Sequence, residues 1–326
     1  MIPVFKRVVV AAGISGVIWL SQSFRERGAI AVYDPGILQP QLSAYAIFKG
    51  APGELIPAAG YEPYELTAQL FSDYAQKQRL IHLPENTKLS AQGNGLPHFP
   101  EGTILVKTFY YADPEAVSKR RIIETRLLIF SGGQWTAGTY VWNAEQTDAE
   151  LVTSGKKIAV RHPAGNRIQI IAYEVPDQHE CATCHGSGSA MQPIGPEMRN
   201  LNRQVLRDGK QVNQLANWQE TGLLHTKQQM PTAKLADYND TTATLEQRAR
   251  AYLSINCAHC HRPAGAAAVR TDLFLHAAVS LEKSGILSRR EKILRKMEQG
   301  KMPKIGTALV HDEGLELIRA YLQTLE

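Results

Sequence analysis

The sequence predicts an α+β chain of several domains. A β-rich N-terminal domain, an antiparallel sheet or sandwich, is followed by a region that turns helical. Three observations predict it. The 326 residues suit two or three domains at roughly 100–200 residues each. β-Branched and aromatic runs crowd the stretch before Pro176, and apolar residues at helical spacing crowd the stretch after Thr242. All four cysteines follow Pro176, so their chemistry belongs to the second half. With 44% hydrophobic and 21% charged residues, the composition is that of a globular protein. It excludes a mostly disordered, collagen-like or polytopic membrane chain. The formal charge of +5 is too small to make nucleic acid the main partner.

Residues 1–23 read as a signal peptide or N-terminal anchor. Lys6 and Arg7 precede an apolar run from Val8 to Leu20, the order of a secretory signal. As a helix the run spans ~20 Å, short of the ~30 Å hydrocarbon core. That favours a signal over a spanning anchor. Ser21-Gln22-Ser23 is a weak cleavage match, so an uncleaved tether to the membrane stays open. Either reading places the bulk of the chain in the periplasm.

Residues 29–175 form the β-rich domain. Thr103–Tyr111, Arg121–Phe130, Gln134–Trp142 and Arg167–Tyr173 are β-branched and aromatic, and turn residues such as Ser131-Gly132-Gly133 separate them. Thr67–Tyr74 is a short helix or a loop. Trp135, Trp142, Tyr110 and Tyr111 read as sheet core or cross-strand pairs; a docking surface is the sharper alternative. His162, Asp177, His179 and Glu180 read as loop polar residues rather than a metal site.

Residues 176–241 form a first unit. Gly, Pro and Asn punctuate 186–202, and Val212–Gly222 reads as a glycine-capped helix. Residues 242–326 form a second unit, expected to be all-α. Leu245, Ala249, Tyr252 and Leu253 share a helical face, with Thr244 and Gln247 as a capping box. Ser288 and Glu291 mark another box ahead of Ile293, Leu294 and Met297, with Gly300 as the stop. Asp312 caps a last helix carrying Leu315, Ile318, Leu322 and Leu325.

The four cysteines lie in Cys181-Ala-Thr-Cys184-His185 and Cys257-Ala-His-Cys260-His261. With four cysteines and ten histidines, one CxxCH arises by chance about once in a thousand such chains, and two far more rarely. The spacing has a physical reason. Residues i, i+3 and i+4 of a helical turn project from one side. Two thiols so placed reach the two vinyl groups of one haem, and the histidine faces the iron. The motifs therefore predict two c-type haems, held through Cys181, Cys184 and His185 and through Cys257, Cys260 and His261. A zinc ribbon is disfavoured, because 72 residues separate Cys184 from Cys257 where roughly 15–20 are usual. Nor does zinc explain a histidine after both pairs. No βαβ pattern supports a thioredoxin-like pair.

Met302 is the expected distal ligand of the second haem. It lies 41 residues after His261, and a thioether there raises the reduction potential; His276 and His311 are rivals. For the first haem Met230 is preferred over Met191 and Met198, and an open or water-ligated iron remains an alternative. From Arg289 to Lys304 seven basic residues face two glutamates. Beside the second haem they form a rim that steers an acidic redox partner, or simply a solvated helix face.

Several stretches together resemble a bacterial family of exported dihaem c-type cytochromes. They are Leu70–Tyr74, Thr108–Tyr111, Glu124–Leu128, Tyr140–Glu150, Pro193–Arg203, Ala251–Pro263 and Leu309–Gly314, and the resemblance runs over roughly residues 40–326. It implies haem attachment at the two motifs, electron transfer outside the cytoplasm and a β-rich region of unassigned role. This chain departs in having a shorter segment between His261 and Met302. Taken together, the sequence points to a class I cytochrome c-like second unit and to an electron carrier. The alternatives are a dihaem oxidoreductase or peroxidase-like enzyme with an open first iron, and a binding module that docks through the β-rich region. The motifs lie closer together than in dihaem cytochrome c peroxidases, which weakens that comparison.

Overall fold

The computed structural model describes residues 36–325 except 92, 114–115, 165–166, 188–189, 227–232 and 269. The N-terminal segment 1–23 and Met230 lie outside the described residues. Among the described residues no helix is long and apolar enough to cross a membrane.

Strands β1 (Tyr61–Pro63), β2 (Gln76–His82), β3 (Leu89–Ala91), β4 (Ile104–Asp113), β5 (Ala116–Ser131), β6 (Gln134–Trp142) and β7 (Ala149–Val152) come first. All but β3 form one antiparallel sheet in the order β1-β2-β4-β5-β6-β7. The hairpin of β8 (Lys156–Ala164) and β9 (Arg167–Val175) follows, then α1 (Gln178–His185), the short β10 (Gly186–Ser187) and β11 (Ala190–Met191), and α2 (Met198–Leu201). Next come β12 (Gln204–Arg207), β13 (Lys210–Asn213), α3 (Gln214–Glu220) and β14 (Leu224–Thr226), which pairs in parallel with β3. The chain ends with α4 (Leu245–Asn256), α5 (Leu281–Ser284), α6 (Arg290–Glu298) and α7 (Asp312–Gln323).

Side chains alternate across a strand, and the sheet uses both faces. On one, Leu80, Val106, Leu127 and Tyr140 pack under the segment that carries Leu42, Tyr45, Ile47 and Leu55. The other face is covered in two parts. At one end Ile81, Leu105 and Trp135 meet Met198, Leu215 and Trp218. At the other, Phe109 and Val141 meet Val160, Ile171 and Tyr173 of the β8–β9 hairpin. Between the two apolar patches runs a polar row: Arg79 pairs with Lys107, Lys107 with Arg126, and Arg126 with Thr139. Trp135, Trp142 and Tyr111 are buried, so their role is core.

The expected all-α, class I cytochrome c-like domain over residues 242–326 does not form, and the fold class is corrected accordingly. Among the described residues the molecule is β-rich, one six-stranded antiparallel sheet with four two-stranded ones, and its helices are short. Of those after residue 242 the longest, α4 and α7, have 12 residues each. The described residues of 257–280 and 299–311 are turns and irregular chain. Nor do these helices close on themselves. Tyr252 and Leu253 pack with α7, whereas Ala251 and Ile255 on the same helix pack with Ala68, Leu70 and Ile194. The Asp73 carboxylate accepts hydrogen bonds from the Ala308 and Leu309 amides, 2.9–3.0 Å away. Periodicity revealed the apolar stripe toward α7; the second, small-residue stripe that joins α4 to the β-rich part carries no such mark.

Local expectations fare unevenly. The Thr244–Gln247 capping box forms. The one at Ser288 does not, because Leu287–Arg289 is a 3-10 turn without a side-chain cap. Asp312 lies inside the first turn of α7, with His311 as the cap residue. The predicted helix at Val212 starts two residues later, after Asn213 caps it.

Candidate functional site

The first motif sits at a strand-to-helix junction. β9 ends at Val175, and Asp177 then opens α1 with a capping box. Its Oδ1 accepts from the Glu180 amide at 2.7 Å, and Glu180 Oε2 accepts from the Asp177 amide at 3.1 Å. His179 lies in α1 as well. α1 carries Cys181, Cys184 and His185, and the Cys181 amide closes on the Asp177 carbonyl at 3.1 Å. The His185 ring is clamped from behind: Nδ1 donates to the Gln192 carbonyl at 2.9 Å. A carbonyl only accepts, so Nδ1 holds the proton and Nε2 keeps its lone pair. Burial brings this imidazole down to about 4, so it is neutral across the physiological range. A neutral ring with its second nitrogen fixed is the form that ligates a metal.

The second motif is the end of α4. Cys257 is the cap residue, and the His261 amide closes on the Cys257 carbonyl at 2.9 Å, with the Cys260 amide at 3.2 Å. The turn thus presents Cys257, Cys260 and His261 in helical spacing. Immediately before it, Asn256 is buried and its Oδ1 accepts from the Phe71 amide at 2.7 Å. His261 is less tied than His185: the Leu273 backbone acts on its ring, but Nδ1 closes no hydrogen bond.

The fold brings the motifs together. Cys184 Sγ, a ring nitrogen of His259 and Cys260 Sγ lie within 4.8 Å of one another. A hydrogen bond between the two sulfurs pushes the Cys184 thiol up and holds Cys260 down. Cys257 is pushed up to about 12 by burial. Burial also raises Cys181, against the pull of Arg126. Arg262 Nη2 donates to the Gly186 carbonyl at 2.6 Å, which ties the residue after one motif to the residue after the other.

Cys181, Cys184 and His185 line an open cleft of about 120 Å³. Its floor is the sheet at Lys107, Arg126 and Thr139, and Phe71 and the loop from Pro303 to Thr307 complete it. Thr139 Oγ1 lies 3.9 Å from Cys181 Sγ. Glu124 is fully buried; both its oxygens take bonds from Arg126, and Tyr173 donates to Oε1 at 2.5 Å.

The expected distal ligands are not gathered in the same way. Met302 is 39% exposed, although the residues that follow it line the cleft. Met198 is core, and Met191 packs on the same cluster. His276 Nε2 sits 2.9 Å from Glu197. The His311 ring stacks on Phe71 at 4.1 Å, and its Nδ1 is 3.1 Å from the Tyr252 hydroxyl. His162 stacks on Tyr74. Reading the sequence missed the floor altogether. Lys107 stands between Leu105 and Phe109 on its strand face, while Arg79 follows Lys77 and Arg126 follows Glu124 two positions on, and those charges were the available sign.

No known protein family, no curated protein and no solved structure matches this chain.

Proposed function

We propose that this is a dihaem c-type cytochrome of the exported bacterial kind, carrying electrons one at a time between a donor and an acceptor. The observation that carries the reading is two CxxCH turns folded against one another beside a cleft that Cys181, Cys184 and His185 line. In each, a thiol adds across a vinyl group, S–H to C=C, with nothing released. The chain's own part is to present the sulfurs, to hold His185 and His261 neutral behind the iron, and to keep water from the buried edge. Iron so held cycles between ferric and ferrous and moves one electron.

The Cys184–Cys260 contact supports a relay rather than two separate carriers. Cys184 and Cys260 would each hold a porphyrin of their own, and their contact would set the two attachment points side by side. The basic residues of α6 with Lys301 and Lys304 form the docking rim for an acidic redox partner. Arg289 is excepted, because it pairs with Asp272. Reduction by such a partner slows as salt rises.

The test is a visible spectrum, oxidised and reduced, with and without carbon monoxide, on protein from a host that attaches c-type haem. Intact mass should show two covalent porphyrins, both low-spin, and no response to carbon monoxide. Carbon monoxide binding to one haem would favour an oxidoreductase with an open first iron. A mass without porphyrin would overturn the proposal. A second reading would then stand on the Cys184–His259–Cys260 cluster: a three-ligand metal site of the open, zinc-like type.

A further inference from the structure

We propose that Lys107 and Arg79 form a carboxylate-binding wall that receives the propionate groups of the porphyrin attached at Cys181 and Cys184. This rests on the haem reading above.

The argument begins with strand register. Arg79, Lys107, Arg126 and Thr139 stand directly opposite one another on β2, β4, β5 and β6. Residues so paired project from one face, and adjacent strands are ~4.8 Å apart. The row therefore crosses the sheet at right angles to the strands and spans ~14 Å. One end touches the first motif, where Thr139 Oγ1 meets Cys181 Sγ at 3.9 Å. Lys107 and Arg126 open on the same cleft as Cys181, Cys184 and His185.

Charge along the row is uneven. Arg126, nearest Cys181, has its counter-ion in Glu124. Lys107 has the Phe109 ring 4.8 Å away and no carboxylate partner among the described residues. Arg79 is 6% exposed, and its Nη2 is buried without a partner. Lys77, on the same face, bonds the Ala75 carbonyl. The acids nearby are committed. Glu124 is held by Arg126 and Tyr173, Asp73 by two amides, and Glu180 by the α1 cap. Arg79 is thus withdrawn from water without a bonded anion, part-buried Lys107 beside it has no carboxylate partner among the described residues, and burial pushes both down from their ordinary ranges. An unpaired buried charge is among the costliest features a fold can carry. A ligand carboxylate removes that cost and makes charge-assisted hydrogen bonds.

Number, sign and side all match the porphyrin. It bears two propionates, on the edge opposite its vinyl groups. The row's free cations are likewise two, and they lie two and three strands from the end that touches the vinyl-binding sulfur.

The test uses the holoprotein and the variants Lys107→Gln, Arg79→Gln, Lys107→Arg and, as a distant control, Arg319→Gln. Intact mass counts covalent porphyrins; a redox titration at several pH values reads the midpoints. In Lys107→Gln both porphyrins remain. One midpoint falls, and its acid-side pH step moves up by about 1–3 units, as for a carboxylate that loses a cation. Lys107→Arg restores both, and Arg319→Gln leaves them unchanged. Two attached porphyrins with unmoved midpoints and steps in Lys107→Gln and in Arg79→Gln would overturn the assignment and leave the haem reading intact. Wild type without porphyrin would overturn both. If succinate shifts a midpoint in wild type and not in Lys107→Gln, the wall serves a free dicarboxylate, and the propionate assignment is wrong.

Discussion

Both CxxCH turns present two sulfurs and an imidazole on one side of the chain, yet they arrive there by different routes. The first stands on an eight-residue helix hung from a strand by a capping box, over a sheet floor that carries cations. The second is the turn that follows α4, and Cys257 packs among the apolar side chains shared by α4 and α7. His185 is fixed by a hydrogen bond to a carbonyl, and His261 Nδ1 has none. The difference teaches that the same five-residue spacing can stand in two unlike surroundings. On the proposed reading the two haems would be inequivalent, with the proximal imidazole and nearby charge as separate levers on potential.

The largest effect is on attachment itself. Replacing Cys181 and Cys184 by alanine should remove one porphyrin of the two from the intact mass. Replacing Cys257 and Cys260 should remove the other. A variant that keeps both, or loses both at once, breaks the picture of two independent sites. Next comes the floor. Glu124→Gln leaves Arg126 without its counter-ion, and breaking such a pair costs about 3 kcal/mol, read as a lower urea midpoint. Adding Arg126→Met should recover most of that loss, because no charge is then left alone.

How much of this was legible in the sequence follows from the range of the forces involved. The strands and the Thr244 cap are local, and they appear in the residues that form them. β4, β5 and β6 lie where β-branched and aromatic runs predicted them. The all-α second unit was misread because Ala251 and Ile255, both apolar, carry no pattern that names their partner, and that partner lies in the β-rich part around Ala68. At the site, both motifs were visible as spacing. The cationic floor was not, since Arg79, Lys107 and Arg126 become neighbours only through strand register.

Two smaller effects test how each motif is anchored. Asn256→Ala deprives the Phe71 amide of its acceptor and costs about 2 kcal/mol. It should act on the second motif and on the seam with the β-rich part together, so urea unfolding should report a loss of global stability. Asp177→Ala removes only a cap, worth about 1 kcal/mol, and its consequence should be local. α1 has eight residues, and the Cys181 amide bonds the carbonyl of Asp177 itself, so fraying at the cap reaches the first sulfur within one turn. The fraction of protein carrying the first porphyrin should fall in Asp177→Ala while the second stays full. Asp177→Asn, which keeps an acceptor for the Glu180 amide, should restore it. Equal loss of both porphyrins in Asp177→Ala would mean that the cap supports the whole fold, and that the two motifs are not anchored separately.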